Sequence, residues 1–153
     1  MIADLLSKHY LLPSTLFAEK EAHQIDTVLG SCVAVCLFDT KLKIGGMNHY
    51  MLPLWNGEGL ASPKFGNIAN DKLFDKMLRM GCVKQNIIAK VFGGANQINS
   101  TINIGDRNIQ IAKEQLSYYG IRVIKESLGG SVGRKIRFDS STGEVLMRFL
   151  SKQ

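Results

Sequence analysis

The feature that most constrains the fold is a short turn that leads directly into a strand with two apolar faces. The turn is Gly30-Ser31-Cys32, and the run Val33–Asp39 follows it. Successive side chains of a strand point to opposite sides, which places Val33, Val35 and Leu37 on one face and Ala34, Cys36 and Phe38 on the other. A strand that is apolar on both faces is typical of the centre of a buried sheet. The sequence therefore predicts a sheet that is covered on both faces, with a thiol at the N-terminal end of its central strand.

A histidine lies in the next apolar run, seventeen residues after Cys32. His49 falls within the predicted strand 44–52, just after Gly45-Gly46, where missing side chains leave room beside the strand. If the two strands pair, Cys32 and His49 can meet across them. A thiol beside an imidazole is the minimum for a cysteine nucleophile, so the two residues are a candidate catalytic pair. A buried structural cysteine and a core histidine remain the alternative.

The rest of the chain predicts an α+β domain. Strands are expected at 15–18, 24–29, 33–39, 44–52, 86–92 and 121–125, with a hairpin of 136–139 and 145–149. Helices are expected at 70–80, capped by Asn70 or Asp71, and from an Asp106 cap to Gly120. Residues 53–66 read as a loop, and residues 1–12 as a loose arm or a first strand. We expect one domain over residues 1–153, a mixed β-sheet core with the helices packed on it.

Composition and charge exclude several classes of protein. The net charge is +6, but the densest cationic group, Arg134–Arg137, is short and has no interleaved aromatics, so nucleic-acid binding is not favoured. A positive surface suits an acidic protein partner equally well. No run is long enough to cross a membrane, and no signal peptide is evident. The three cysteines indicate neither a disulfide framework nor a zinc site, so we expect a cytoplasmic protein without a metal.

Five segments in order resemble the CheD family of chemoreceptor glutamine deamidases. They are 27–37, 46–53, Phe92-Gly93-Gly94-Ala95, 103–108, and the glycines from Gly129-Gly130 to Gly143. The likeness covers roughly residues 15–150. A Gly-Ser-Cys turn alone is a weak signal, whereas the ordered set is a specific one. The family fold resembles the catalytic domain of cytotoxic necrotising factor, a mixed sheet flanked by helices.

The resemblance also implies roles for particular residues. Cys32 would be the nucleophile, His49 the base that also lowers the pKa of the thiol, and Thr27 the third member of a triad. Asp26 stands beside Thr27, and a carboxylate can also orient an imidazole. In this mechanism the backbone N–H groups of Ser31 and Cys32 are candidate donors to the oxyanion, with Gly30 and Ser31 forming the turn that carries them. Because glycine lets a partner approach the backbone closely and loops commonly carry recognition, the bend at Gly93-Gly94 and the loop 53–66 are the expected docking rim. No cofactor is required.

The implied reaction is the hydrolysis of glutamine side chains on chemoreceptor cytoplasmic helices, through a thioester. Two alternatives stay open. The same Cys–His pair could serve a peptidase or a transglutaminase-like enzyme. The chain could instead be an interaction module that binds receptors or a CheC-type phosphatase, a partner that the resemblance implies for some family members.

Overall fold

Nine strands and two α-helices make up the regular structure of the residues that can be described. The structure is a computed structural model in which residues 6–96 and 101–151 are described. The strands are β1 Ser7–Tyr10, β2 Thr15–Glu19, β3 His23–Leu29, β4 Val33–Asp39, β5 Ile44–His49, β6 Ile87–Gly93, β7 Arg122–Leu128, β8 Arg134–Asp139 and β9 Val145–Phe149. The helices are α1 Gly66–Arg79 and α2 Ile104–Tyr119, and a 3-10 helix spans Lys84–Asn86.

The strands form two sheets, not one. The larger sheet has the order β2-β5-β4-β6-β7, and the smaller one has the order β1-β3-β8-β9. Each sheet is mixed, because β6 pairs with β7 and β1 pairs with β3 in parallel while the other pairs are antiparallel. The expected α+β class and mixed sheets are confirmed, whereas the division into two sheets was not predicted.

The two apolar faces of β4 are covered by different layers. Val33, Val35 and Leu37 lie in a core shared with α1 and α2. Ala34, Cys36 and Phe38 lie in a second core, which the smaller sheet closes. The order of layers is therefore helices, larger sheet, smaller sheet. This burial on both sides explains why the whole of β4 is apolar until Asp39.

Both helices begin earlier than their apolar patterns indicate. Helix α1 starts at Gly66, whose N–H donates to the carbonyl of Leu52 at 2.7 Å, so a neighbouring loop holds its first turn. Asn70 is buried inside the helix and is not its cap. Helix α2 starts after Asn103, and Asp106 lies in its first turn, where a carboxylate suits the helix dipole. The predicted caps at Asn70 or Asp71 and at Asp106 were wrong.

The remaining boundaries follow the predictions with small shifts. The left-handed Gly120 ends α2 as expected, and β5 stops at His49, beyond which Tyr50 makes an isolated bridge to Val33. Strand β1 settles the open question for residues 7–10, whereas residues 1–5 lie outside the described part. In that part, no helix is both long and apolar enough to cross a membrane. The assignment of residues 1–153 to one domain stays a prediction.

Candidate active site

The pairing of β4 with β5 brings Cys32 and His49 to one face of the larger sheet. The ladder pairs Cys36 with Met47, and the bridge between Val33 and Tyr50 continues the same register. In that register Cys32 lies diagonally across from His49. Diagonal neighbours of antiparallel strands are about 7–8 Å apart at Cα, a distance that an aromatic side chain such as an imidazole can span. Cys32 packs against the core between the two sheets, on the side where Met47 is buried.

Thr27 meets His49 from the other sheet. Strand β3 turns the side chain of Thr27 inward, and its Oγ1 lies 2.7 Å from His49 Nδ1. The same hydroxyl donates its proton to the carbonyl of Leu11 at 2.7 Å. A hydroxyl has one proton to give, so toward the imidazole Thr27 Oγ1 must accept, and His49 Nδ1 carries the hydrogen. His49 Nε2 is then the basic nitrogen, and it has no hydrogen-bond partner among the described residues.

Asp26 faces the opposite way. Its carboxylate pairs with Arg137, with Oδ1 3.4 Å from Nε on the outer side of the smaller sheet. Of the two candidates for a third group, the structure therefore brings Thr27, and not Asp26, to the imidazole.

Burial controls the charges of the pair. It lowers the pKa of His49 to about 4, since the protonated ring would lie in the interior with only 2% of its surface exposed. Burial also raises the pKa of the half-buried Cys32 thiol, while its own backbone N–H acts in the opposite direction. The expectation that the thiol pKa is lowered is therefore not met in this environment. At neutral pH the resting pair is a neutral thiol and a neutral imidazole.

The turn before Cys32 is open to solvent and borders a pocket. Gly30 and Ser31 are exposed, and they line a pocket of about 350 Å³. The other lining residues are Ala95, Asn96, Ile102, Ile104, Gly105, Ser131 and Gly133. Cys32 and His49 are not in the lining. The pocket therefore borders the turn that precedes Cys32.

Gly93 and Gly94 lie in the protein interior and contact the backbone of Cys32. Both are buried, and the N–H of Gly94 donates to the carbonyl of Cys32 at 2.9 Å. Gly93 has a φ of 112°, and a Cβ at this position would overlap the carbonyl oxygen of Cys32. The structure thus places the two glycines against the backbone of Cys32 and away from an exposed rim.

One residue near the turn was missed. Asn108 of α2 is fully buried, and its Nδ2 donates to the carbonyls of Ser31 at 2.9 Å and Met51 at 3.0 Å. Its sequence signal is an amide one helical turn before Ala112, on the apolar stripe of the helix. In the sequence this position stands out only as part of the segment 103–108.

The other two cysteines lie away from this arrangement. Cys36 is buried between the sheets, and burial raises the pKa of its thiol. Burial and the neighbouring Asp39 raise the pKa of Cys82 to about 11. Within residues 6–96 and 101–151, no group of three or more His, Cys, Asp or Glu residues is arranged to hold a metal ion.

A thiol, an imidazole with a basic Nε2 and a hydroxyl on Nδ1 are the groups that a cysteine hydrolase uses, and this is the class to which the geometry points. The chain belongs to the CheD family, since residues 51–149 match the family described as CheD chemotactic sensory transduction. The resemblance found in the sequence is thereby confirmed.

Related proteins match over nearly the whole chain. The chain is 48% identical over 149 residues to a protein of Sulfurimonas denitrificans named probable chemoreceptor glutamine deamidase CheD, covering 95% of this chain and 96% of the relative. It is 50% identical over 145 residues to a protein of the same name from Trichlorobacter lovleyi, covering 93% and 90%. A third protein of that name, from Rhodospirillum rubrum, is 41% identical over 146 residues, covering 94% and 82%.

Proposed function

We propose that this protein hydrolyses glutamine side chains of chemoreceptors to glutamate and releases ammonia, with Cys32 as nucleophile and His49 as base. Membership of the CheD family and the names of its relatives support the substrate. The observation that carries the chemistry is the hydrogen bond between Thr27 and His49, because it leaves Nε2 free to take a proton.

The first half of the reaction forms a thioester. His49 Nε2 takes the proton of the Cys32 thiol as the sulfur attacks the amide carbon of the glutamine. Because both groups are neutral at rest, the attack depends on His49 taking the proton of the thiol. The C–S bond forms, and the carbonyl oxygen becomes an oxyanion. When the oxyanion collapses, the C–N bond breaks and the imidazolium gives its proton to the leaving nitrogen, which departs as ammonia.

The second half hydrolyses the thioester. His49 Nε2 takes a proton from water as the water oxygen attacks the thioester carbon. The C–S bond breaks, the imidazolium returns its proton to the sulfur, and the product is glutamate. Throughout, the Nδ1–H of His49 donates to Thr27, which keeps Nε2 directed toward the reacting groups. Every proton is accounted for by Cys32, His49, the substrate and water.

The test uses a purified receptor cytoplasmic fragment and two readouts, ammonia release and intact mass. Wild type should release ammonia and give the fragment the mass gain of deamidation without cleaving it. Cys32→Ala should abolish both signals. Cys36→Ala is the matched control, because Cys36 is a thiol of the strand that follows Cys32, is buried between the sheets and takes no part in the proposed chemistry.

The outcomes separate the alternatives. Cleaved fragments would identify a peptidase, and mass gains that appear only when an amine is added would identify a transglutaminase-like enzyme. Binding of the fragment without ammonia would identify an interaction module. Full activity in Cys32→Ala would contradict the proposed mechanism.

The proposal includes a location and a second partner. We place the reaction in the cytoplasm, which agrees with the free thiols of Cys32, Cys36 and Cys82. A CheC-type phosphatase is proposed as a partner on the family resemblance alone. If it contacts the same turn, it should inhibit ammonia release competitively with the receptor fragment; inhibition that ignores receptor concentration would contradict a shared site.

A further inference from the structure

Three consecutive carbonyl groups around Cys32 are each held by a hydrogen bond from a different donor. The N–H of Ala95 donates to the carbonyl of Gly30 at 3.0 Å, and the N–H of Gly94 to that of Cys32 at 2.9 Å. The carbonyl between them belongs to Ser31, and its donor is Nδ2 of Asn108 at 2.9 Å. The middle peptide is thus the one that a side chain holds.

Holding a carbonyl also sets the direction of the next N–H. In a trans peptide the C=O of one residue and the N–H of the next point in opposite directions, and no cis peptide occurs in the described chain. The bond from Ala95 to Gly30 therefore directs the N–H of Ser31. The bond from Asn108 to Ser31 directs the N–H of Cys32 away from α2.

These two N–H groups have no hydrogen-bond acceptor within residues 6–96 and 101–151. No described residue accepts a hydrogen bond from the N–H of Ser31 or of Cys32, whereas the next one, of Val33, donates to the carbonyl of Tyr50 at 3.2 Å. The Cys32 N–H belongs to the same residue as the sulfur and therefore lies beside it. Two adjacent free donors beside a nucleophilic sulfur are what the oxyanion of an attacked amide requires.

The close packing of α2 against the turn depends on Gly105. A Cβ on Gly105 would overlap the carbonyl oxygen of Gly94, so only glycine lets the first turn of α2 lie against this loop. Close packing there lets Asn108 reach Ser31. Its amide orientation is defined, because Nδ2 has two carbonyl acceptors, while Oδ1 is buried without a partner among the described residues. An orphan oxygen is unfavourable, and such groups call for an explanation other than stability.

We propose that Asn108 is a positioning residue that holds the Ser31–Cys32 peptide so that the N–H groups of Ser31 and Cys32 form the oxyanion hole. The inference rests on the proposed function, since it concerns the same reaction. Asn108 touches neither the substrate nor the sulfur, and it acts through the orientation of one peptide plane.

A positioning role predicts different effects on two reactions of Cys32, deamidation and alkylation. A purely structural role predicts the same effect on both. Attack on an amide, or on the thioester, creates an oxyanion that the two donors stabilise. Alkylation of Cys32 by iodoacetamide displaces iodide from a saturated carbon and creates none. Loss of Asn108 should therefore slow deamidation far more than it changes the alkylation rate of Cys32, because the thiol and His49 remain in place.

The experiment compares Asn108→Ala and Asn108→Ser with wild type on the receptor fragment. We expect Asn108→Ala to lower kcat by about 100-fold with KM nearly unchanged, as for loss of an oxyanion donor. Asn108→Ser keeps one short donor and should fall between the two. Alkylation of Cys32 at matched pH should stay within about twofold of wild type in both variants. The matched control is Gln115→Ala, two turns along the same face of α2, where the side chain bonds to Asn67 and Asn70 and not to the turn.

Two results would overturn the inference. One is wild-type kcat in Asn108→Ala, or in Asn108→Ser if the alanine variant does not fold. The other is a parallel fall of kcat and alkylation rate, which would mean that the variant merely loosens the site. Both require an active wild-type protein. A wild type that releases no ammonia would instead contradict the proposed function, so the two failures are distinguishable.

Discussion

Thr27 and Asp26 are adjacent in sequence but have separate surroundings. Thr27 is fully buried between the sheets, with its hydroxyl shared between Leu11 and His49. Asp26 reaches Arg137 on the outer face. The alternation of a strand therefore gives one residue to the site and the other to the surface.

Substitutions of Thr27 that remove its hydroxyl should lower the kcat of deamidation. Thr27→Val keeps the shape but cannot accept from Nδ1, so both tautomers of His49 become available and kcat should fall by at least about tenfold. Thr27→Ser should retain most activity, and Asp26→Ala should stay near wild type. Steady-state deamidation measures all three. A larger loss in Asp26→Ala than in Thr27→Val would reassign the third role.

The low pKa of His49 predicts an unusual pH profile. The active form has a neutral imidazole, and burial lowers the pKa of the ring from 6.5 to about 4. The acid limb of kcat/KM should therefore lie near pH 4, well below the range of an exposed histidine. The raised pKa of Cys32 keeps the thiol protonated through neutral pH. An acid limb near pH 6.5 would contradict the lowered pKa of the buried His49 ring.

The same burial makes stability depend on pH. Below pH 6.5 the unfolded chain binds a proton at His49 that the folded chain does not bind until about pH 4, so stability falls as the pH decreases through this window. Between pH 7 and pH 5 the contribution of His49 is a loss of about 2 kcal/mol. Urea unfolding of wild type and His49→Gln should show the smaller pH dependence in the variant. Equal dependence would mean that other groups carry the effect.

At the scale of elements, the loop after β6 and the turn before β4 form one unit. Gly93 can approach the Cys32 carbonyl only because it lacks a Cβ and adopts a positive φ. Gly30, in contrast, has no atom within 4 Å of an added Cβ, and it lines the pocket. One glycine is thus required by the fold, while the other leaves space open to a ligand.

Alanine at these two positions should separate folding from substrate access. Gly93→Ala should destabilise the protein by about 2 kcal/mol or more, through strain and overlap with the Cys32 carbonyl. Gly30→Ala should leave Tm nearly unchanged and lower kcat/KM, because its methyl group enters the pocket. Thermal unfolding and deamidation assays on both variants measure this. A stable Gly93→Ala with full activity would contradict the supporting role of the loop.

At the scale of the whole molecule, the site lies at the beginning of the central strand β4, next to an exposed turn. Ser31 is exposed, the neighbouring pocket is open, and the chain carries a net charge of +6. A shallow mouth of this kind suits the surface of a folded helix and does not enclose an extended peptide.

A folded substrate should accordingly be preferred. Deamidation of a helical receptor fragment should proceed with a higher kcat/KM than that of a short unstructured peptide carrying the same glutamine. The advantage should shrink as salt is added, since charge attraction contributes to the encounter. Equal kcat/KM for both substrates at low salt would show that the helix is not recognised.

Several features of the fold could be predicted because they depend on short stretches of chain. The two apolar faces of β4, the glycine end of α2 at Gly120 and the hairpin of β8 and β9 each follow from local alternation or turn chemistry. The start of α1 could not be predicted, since the carbonyl of Leu52, and no capping side chain, holds Gly66. The sequence showed that both faces of β4 are covered but not that helices cover one and a second sheet the other.

In the active site, too, some features follow from local sequence and others depend on tertiary packing. The chain by itself determined that a thiol follows a turn into a buried strand, that His49 lies on the next strand, and that Thr27 or Asp26 could orient the ring. Only the tertiary structure brought Thr27, and not Asp26, to the imidazole, set the tautomer of His49 through Leu11, and brought Asn108 to Ser31. The physical reason is that side-chain alternation is a property of neighbouring residues. A hydrogen bond between distant residues depends on how sheets and helices pack, which no local pattern contains.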